Sequence, residues 1–430
     1  MSAEGLAFIV FSVGMLLLMG IGMNMGLALV LTGAGMAWVL GFADTQLLAQ
    51  NLVAGVDSFP LLAVPFFILA GELMNTGGIS RRIITMAQAW VGHIQGGLGY
   101  VAIAAAIMLS AMSGSALADA AALATIVLPM MRKNGYPMTT SAGLIAAGGV
   151  IGPIIPPSMA FVIYGVTTNT SISALFVSGI VPGLIMGLGL VIAWRLRISG
   201  LDLPASKPMP LKARLRATLQ ATWALLMPVI IIGGMKTGIF TPTEAAVVAA
   251  AYAMFISFFV HREMKLSDLH GVFVKAAKTT AVVMFLCAGA QVTGYMVTLA
   301  DMPSTLSSWL GPMVENPRLL MAAMMLVLVL VGTALDLTPT ILIFAPVMLP
   351  IAVKAGIDPV YFGLMFVLNG SIGLITPPVG TVLNVVAGVG RMPLAQVVRG
   401  VSPFLITYTL IMFLFVLFPQ IVTAPVAWMR

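Results

Sequence analysis

The sequence predicts an all-α integral membrane protein made of two related halves, each with a re-entrant hairpin and a broken helix. Three observations carry that expectation. The 430 residues are 60% hydrophobic and only 8% charged, against about 25% charged in an average soluble domain, and mean hydropathy is +1.10. Apolar passages recur along nearly the whole chain. Two distant segments share an uncommon glycine–proline signature, GPIIPP at 152–157 and GLITPP at 373–378. So few charges cannot cover a soluble surface of this length, which excludes a cytosolic enzyme, a secreted disulfide scaffold and a disordered chain. The single cysteine, Cys287, leaves no internal disulfide and no Cys-based metal site, and three scattered histidines (His93, His261, His270) offer little to zinc. The net charge of +7 is spread over short loops and is not a nucleic-acid footprint.

The first apolar passage spans about residues 6–22, and no Lys or Arg precedes Arg81. A secretory signal needs a basic start and a small-residue cleavage site, so a retained membrane helix is expected. Further passages run at about 25–42, 60–79, 97–112, 115–131, 142–166 and 174–194. A polar stretch at about 195–218 carries Arg195, Arg197, Asp202, Lys207, Lys212, Arg214 and Arg216. Apolar passages then resume at about 221–235, 243–260, 280–300, 319–335, 338–353, 360–387 and 403–425. The expected organisation is a first repeat at 1–194, a cytoplasmic basic linker at 195–218 and a second repeat at 219–430. The tryptophans read as interface markers, and the 32 methionines as packing and lipid contact.

A shift of 221 lays residues 129–182 on 350–403 without a gap and pairs Pro129 with Pro350, Gly149 with Gly370, Gly152 with Gly373, Pro156 with Pro377, Pro157 with Pro378 and Pro182 with Pro403. An upstream block, Phe66–Gly71 against Met284–Gly289, aligns at a shift of 218. Orientation follows from the rule that cytoplasmic loops are rich in Lys and Arg. With the central stretch inside, 16 of the 20 basic residues fall inside, and Lys236, Arg318, Lys354 and Arg430 fall outside. Equivalent positions then lie on opposite sides: Arg391 and Arg399 inside, their counterparts Thr170 and Ser178 outside. The expected repeat is therefore inverted, with both termini on the external face.

Inverted repeats with interrupted helices are common in secondary transporters. Two consecutive prolines remove backbone donors and clash with the preceding turn, so unwinding is expected at Gly152–Ser158 and Gly370–Gly380. Freed carbonyls can coordinate Na⁺, and half-helix N-termini can face an anion. Four acids interrupt apolar runs: Glu72, Asp119, Glu244 and Asp336. A carboxylate inside the bilayer costs about 2.5–3.5 kcal/mol on insertion scales, so each invites a reason. Asp119 lies in SGSALAD (113–119), and Asp336 in GTALDLTPT (332–340) opposite Ser115 under the 221 shift. Both stretches suit hairpin tips, where hydroxyls and carboxylates favour a hard cation such as Na⁺. Helix capping is the plainer role for Asp119, Asp336 and, in TPTEAA (241–246), Glu244. No P-loop and no clustered catalytic set are present, so the chain is not expected to be an enzyme.

The stretches SGSALADAAALATIVLPMM (113–131), GGVIGPIIPPSMAFVIYG (148–165), SALFVSGIVPGL (173–184), TPTEAAVVAA (241–250) and NGSIGLITPPVGTVLNVV (369–386) resemble the large membrane subunit of TRAP transporters (tripartite ATP-independent periplasmic transporters), the DctM/SiaM-like family. The resemblance covers essentially the whole chain. It implies an elevator-type, Na⁺-driven importer of a small organic anion, a carboxylate or sulfonate, in the bacterial inner membrane. It implies two protein partners, a small four-helix membrane subunit and a periplasmic substrate-binding protein. It implies substrate contacts at Ser113, Ser115, Asp119, Ser158, Ser171 and Asp336. Na⁺ would be held near Ser115, Gly152, Pro153 and Ser158, and near Thr333, Asp336, Gly373, Thr376 and Gly380. Sialic-acid members are expected to carry an arginine around 299–302. This chain reads Leu299, Ala300, Asp301 and Met302, which disfavours sialic acid. The competing readings are a single-component Na⁺/dicarboxylate-type symporter and an intramembrane enzyme.

Overall fold

The computed structural model describes residues 3–205, 207–302, 304–305, 311–333 and 335–429, and every regular element among them is helical. The first half contains α1 (Gly5–Gly20), α2 (Met25–Val39), α3 (Thr45–Ala54), α4 (Phe59–Thr76), α5 (Ile79–Val91), α6 (Gly97–Ser113), α7 (Ala116–Lys133), α8 (Met138–Gly149), α9 (Met159–Thr168) and α10 (Ile172–Ile198). The second contains α11 (Leu211–Lys236), α12 (Pro242–Val260), α13 (Leu266–Leu299), α14 (Pro317–Gly332), α15 (Leu337–Lys354), α16 (Pro359–Gly373), α17 (Thr381–Gly390), α18 (Leu394–Leu417) and α19 (Gln420–Met429).

Seven of these helices are long and apolar enough to cross a membrane: α4, α10, α11, α12, α13, α15 and α18. At 1.5 Å per residue, α13 is about 50 Å long, well beyond a hydrocarbon core of about 30 Å. Its first turns hold Asp268, His270, Lys275 and Lys278, so the excess length is polar. The paired and interrupted helices are shorter. The arms α6 and α14 have 17 and 16 residues, and the half-helices α9 and α17 have 10 each. A span needs about 20 residues, so the half-helices α9 and α17 reach only part-way.

The element boundaries reproduce the shift found in the sequence. The helices α7 and α15 run from Ala116 to Lys133 and from Leu337 to Lys354, which is 221 residues apart at both ends. The starts of α8 and α16, Met138 and Pro359, obey the same offset. The Pro156–Pro157 and Pro377–Pro378 bonds are both cis. Packing crosses between halves. The half-helix α9 lies on α15, α17 lies on α7, and α8 runs against α18. One tyrosine ties the last of these down, Tyr408 Oη donating to the Ala147 carbonyl at 2.8 Å, while Tyr361 Oη donates to the Phe415 carbonyl at 2.9 Å within the second half.

The two expected breaks appear, and two other expectations shift. The 142–166 and 360–387 passages are each two helices with a break, as the prolines required. The helices α3 and α5 were not marked by any apolar passage, because polar residues dilute their hydropathy. In α5, Ile79, Ile83, Ile84 and Ala87 are buried while Arg81 and Thr85 face outward. Both ends of the polar stretch at 195–218 are helical: α10 runs to Ile198 and α11 starts at Leu211, leaving 199–210 as the connection. Arg and Lys are good helix formers, and their stems cover apolar surface. Arg430, expected on the external side, lies outside the described residues.

Candidate functional site

Each hairpin tip sits on a helix break. In the first hairpin, α6 ends at Gly114, whose φ of 60° is left-handed. A side chain there would also run into the Pro157 carbonyl, so only glycine lets the tip reach the break. Ser115 caps α7, its hydroxyl accepting from the Ala118 amide at 3.4 Å. Asp119 lies one turn further in and does not cap, contrary to the plainer reading. Its Oδ1 accepts from Ser113 Oγ at 2.5 Å, and Ser113 Oγ also accepts from the Ser115 amide at 3.2 Å. Asp119 is 2% exposed, and its Oδ2 has no hydrogen-bond partner. That oxygen faces the break: a Cβ on Gly152 would stand 2.8 Å from it. Within the break, residues 150–158 are all buried, and Ser158 Oγ donates to the Pro153 carbonyl at 2.5 Å while capping α9. Ser113, Ser115, Asp119, Gly152, Pro153 and Ser158 therefore form one cluster.

The second hairpin repeats the plan with different chemistry. Asp336 caps α15, Oδ1 accepting from the Leu337 amide at 3.0 Å. The same oxygen accepts from Thr381 Oγ1 at 3.3 Å, across from the other break. The Thr333 carbonyl accepts from the Val379 amide at 3.4 Å. A Cβ on Gly373 would lie 2.8 Å from Gly332 Cα, so the hairpin arm and the broken helix touch backbone to backbone. Gly380, with φ of 45°, starts α17, and Thr376 Oγ1 donates to the Ile372 carbonyl at 2.8 Å. Thr333, Asp336, Gly373, Thr376 and Gly380 thus line one junction.

Ser171 joins neither cluster. It caps α10, is exposed, and lines a different cavity with Phe176, Met235 and Lys236. Glu244 takes the plainer role. Its carboxylate accepts from the Thr241 amide and hydroxyl at 2.8 Å, and Thr241 Oγ1 accepts from the Glu244 amide, a capping box. Three polar residues at the site escaped the sequence reading. Ser110 Oγ is buried without a partner near Asp119; Thr381 reaches Asp336; and Asn369, fully buried, donates to the Met325 carbonyl at 2.6 Å. The polar residue in NGSIG (369–373) was a usable signal for the last.

Both junctions offer hydroxyls, a carboxylate and unwound carbonyls, an oxygen donor set that suits a hard monovalent cation. A buried carboxylate oxygen without a well-formed hydrogen bond costs free energy, and Oδ2 of Asp119 lies in such a setting, with Gly152 beside it and Ser110 close by. The amides that open α7, α9, α15 and α17 supply positive ends of helix dipoles around the same region. A cavity of about 380 Å³ lies where α9 and α15 meet α13, lined among others by Ser58, Asn169, Gln291, Tyr295 and Thr298 and by no charged residue. It is polar and uncharged, a setting for hydroxyl or carbonyl groups.

Residues 12–421 match the family model described as the DctM component of tripartite ATP-independent periplasmic transporters. The chain is 48% identical over 410 residues to the 2,3-diketo-L-gulonate TRAP transporter large permease protein YiaN of Escherichia coli, covering 95% of this chain and 96% of that one. It is 39% identical over 407 residues to the sialic acid TRAP transporter large permease protein SiaM of Vibrio cholerae, covering 95% of each. Among solved structures, the YdaH transporter of Alcanivorax borkumensis matches with a TM-score of 0.58 at 15% identity, over 86% of this chain and 87% of that one. At that identity the likeness concerns the fold.

Proposed function

The chain belongs to the DctM component family of tripartite ATP-independent periplasmic transporters, and from that premise we propose that it is the large permease subunit of a Na⁺-driven, binding-protein-dependent importer of a small organic anion. It is a multi-pass protein of the bacterial inner membrane. The proposal includes two inverted repeats, 1–194 and 219–430, joined by a cytoplasmic basic connection, with both termini outside. It includes a small four-helix membrane subunit and a periplasmic binding protein as partners. The single observation that carries it is the seating of each hairpin tip on a helix break, with Asp119 and Ser113 at one junction and Asp336 and Thr381 at the other.

The proposed mechanism uses those contacts. Na⁺ at the two junctions neutralises the carboxylates and ties each hairpin tip to its break. The substrate anion binds against the ordered tips and the helix N-termini that open there. Sodium must favour the translocation-competent state over the other, or no coupling arises. The loaded part, α6–α9 with α14–α17, then moves as a unit against α1, α2 and α11–α13. The relative named for 2,3-diketo-L-gulonate supports a small sugar-acid carboxylate, whose hydroxyl and carbonyl groups suit the uncharged cavity at Asn169, Gln291 and Tyr295. Leu299, Ala300, Asp301 and Met302 leave no arginine where sialic acid would need one.

Uptake into proteoliposomes tests the reading. The chain and its small partner are reconstituted, and a panel of organic acids is offered with and without the binding protein and an inward Na⁺ gradient. Uptake that needs both supports the proposal. Uptake that needs Na⁺ but no binding protein replaces it with the single-component symporter.

A further inference from the structure

A second site lies away from both hairpins. One face of α11 presents Arg216, Leu219 and Trp223 at helical spacing, so they line up along one side. Opposite stand Arg81 and Arg82 of α5 and the segment just after α12, which carries His261 and Glu263. Together they line an open cavity of about 550 Å³. Its charge is unbalanced. Arg82 pairs with Glu263 at 2.7 Å, and the cavity has no second acid to set against Arg81 and Arg216, whose side chains are exposed. His261 lines the same cavity with both ring nitrogens buried and the Gly77 backbone close by. Two guanidinium groups with no acid of their own make a receptor for phosphate oxygens. The other end of the cavity is apolar, with Leu219 70% and Trp223 42% exposed. These belong to the apolar part of a membrane-crossing helix, and tryptophan prefers the level of the headgroups.

We propose that this cavity binds an anionic phospholipid, its phosphodiester held by Arg81 and Arg216 and an acyl chain laid along Leu219 and Trp223. The mixed lining argues for a lipid over free phosphate, which has no use for an apolar wall. The site joins α5 to α11 and to the end of α12, so an occupied cavity ties three elements together at one membrane face.

Native mass spectrometry of the full-length chain in detergent tests this, with phosphatidylglycerol, phosphatidylcholine or inorganic phosphate added at equal concentration. Phosphatidylglycerol should be retained in preference to phosphatidylcholine, and phosphate should not displace it. Arg81→Gln and Arg216→Gln should each weaken retention about fivefold, the worth of one basic residue at a lipid surface. Arg81→Lys with Arg216→Lys should keep most of the binding, which separates lost charge from lost fold. Arg214→Gln, whose guanidinium stacks on Trp90 instead, should bind as wild type. Equal retention of both lipids, or unchanged retention in the glutamine variants, would overturn the proposal. Displacement by inorganic phosphate alone would overturn the lipid and leave a free-anion site.

Discussion

Ser115 and Asp336 occupy the same N-cap, 221 residues apart, at the tips of two hairpins: one hydroxyl and one carboxylate, each accepting from the first turn of the helix it opens. The fold holds the position and the chemistry differs. The carboxyl group that answers Asp336 in the first junction comes from Asp119, a turn further along and held by Ser113.

Asp336 caps a helix and is proposed to meet Na⁺, and one substitution separates the two roles. Asparagine caps about as well as aspartate but carries no charge. Asp336→Asn should assemble with its partner at wild-type yield and lose Na⁺-driven uptake to background. Wild-type Na⁺-driven uptake by this variant in proteoliposomes would falsify the assignment.

Ser113→Ala removes the hydroxyl that satisfies Asp119 Oδ1 in a buried setting. Leaving such an acceptor unpaired costs about 1–3 kcal/mol. The unfolding midpoint should fall accordingly, and added Na⁺ should restore less of it than in the wild type. An unchanged midpoint would mean that the Ser113–Asp119 contact does not hold the tip.

Gly373→Ala pushes a methyl group against Gly332 Cα. Overpacking of this kind costs about 1–3 kcal/mol, and here the neighbour is backbone and cannot swing aside. Uptake should drop sharply because the second hairpin no longer seats. Gly271→Ala, with nothing near its added carbon, is the control and should stabilise by about 0.4–1 kcal/mol. Equal behaviour of the two variants in uptake and thermal unfolding counts against the junction.

Glu244 sits in an apolar run, yet its carboxylate is used in a capping box with Thr241. Glutamine serves the same box. Glu244→Gln should therefore transport and unfold like the wild type, and a loss of uptake with normal stability would return Glu244 to the list of ion or substrate ligands.

Asn169 and Gln291 come from α9's C-terminal cap and from α13, and both line the uncharged cavity. Replacing Gln291 with alanine should raise KM for a hydroxylated substrate more than it lowers kcat, since the group would bind ground and transition states alike. Measured KM values equal to wild type would remove the cavity from the substrate path.

By itself the sequence determined the membrane class, the two broken helices and the two hairpin tips. Those are local properties: apolar runs long enough for a bilayer, prolines that cannot continue a helix, and small polar residues where a chain must turn. Proline at 156–157 and 377–378 needs no distant partner to interrupt a helix. Helices α3 and α5 were missed because their sequence is mixed, and burial of Ile79, Ile83 and Ile84 comes from neighbours the periodicity does not name. The tertiary structure alone decided that Asp119 bonds Ser113 and does not cap, that Thr381 reaches Asp336, that Gly332 meets Gly373, and that Ser171 stands apart from both junctions. It also brought Arg81, Arg216 and His261 around one cavity. These pairings join residues far apart in the chain, and only the packing of whole helices fixes which side chains meet.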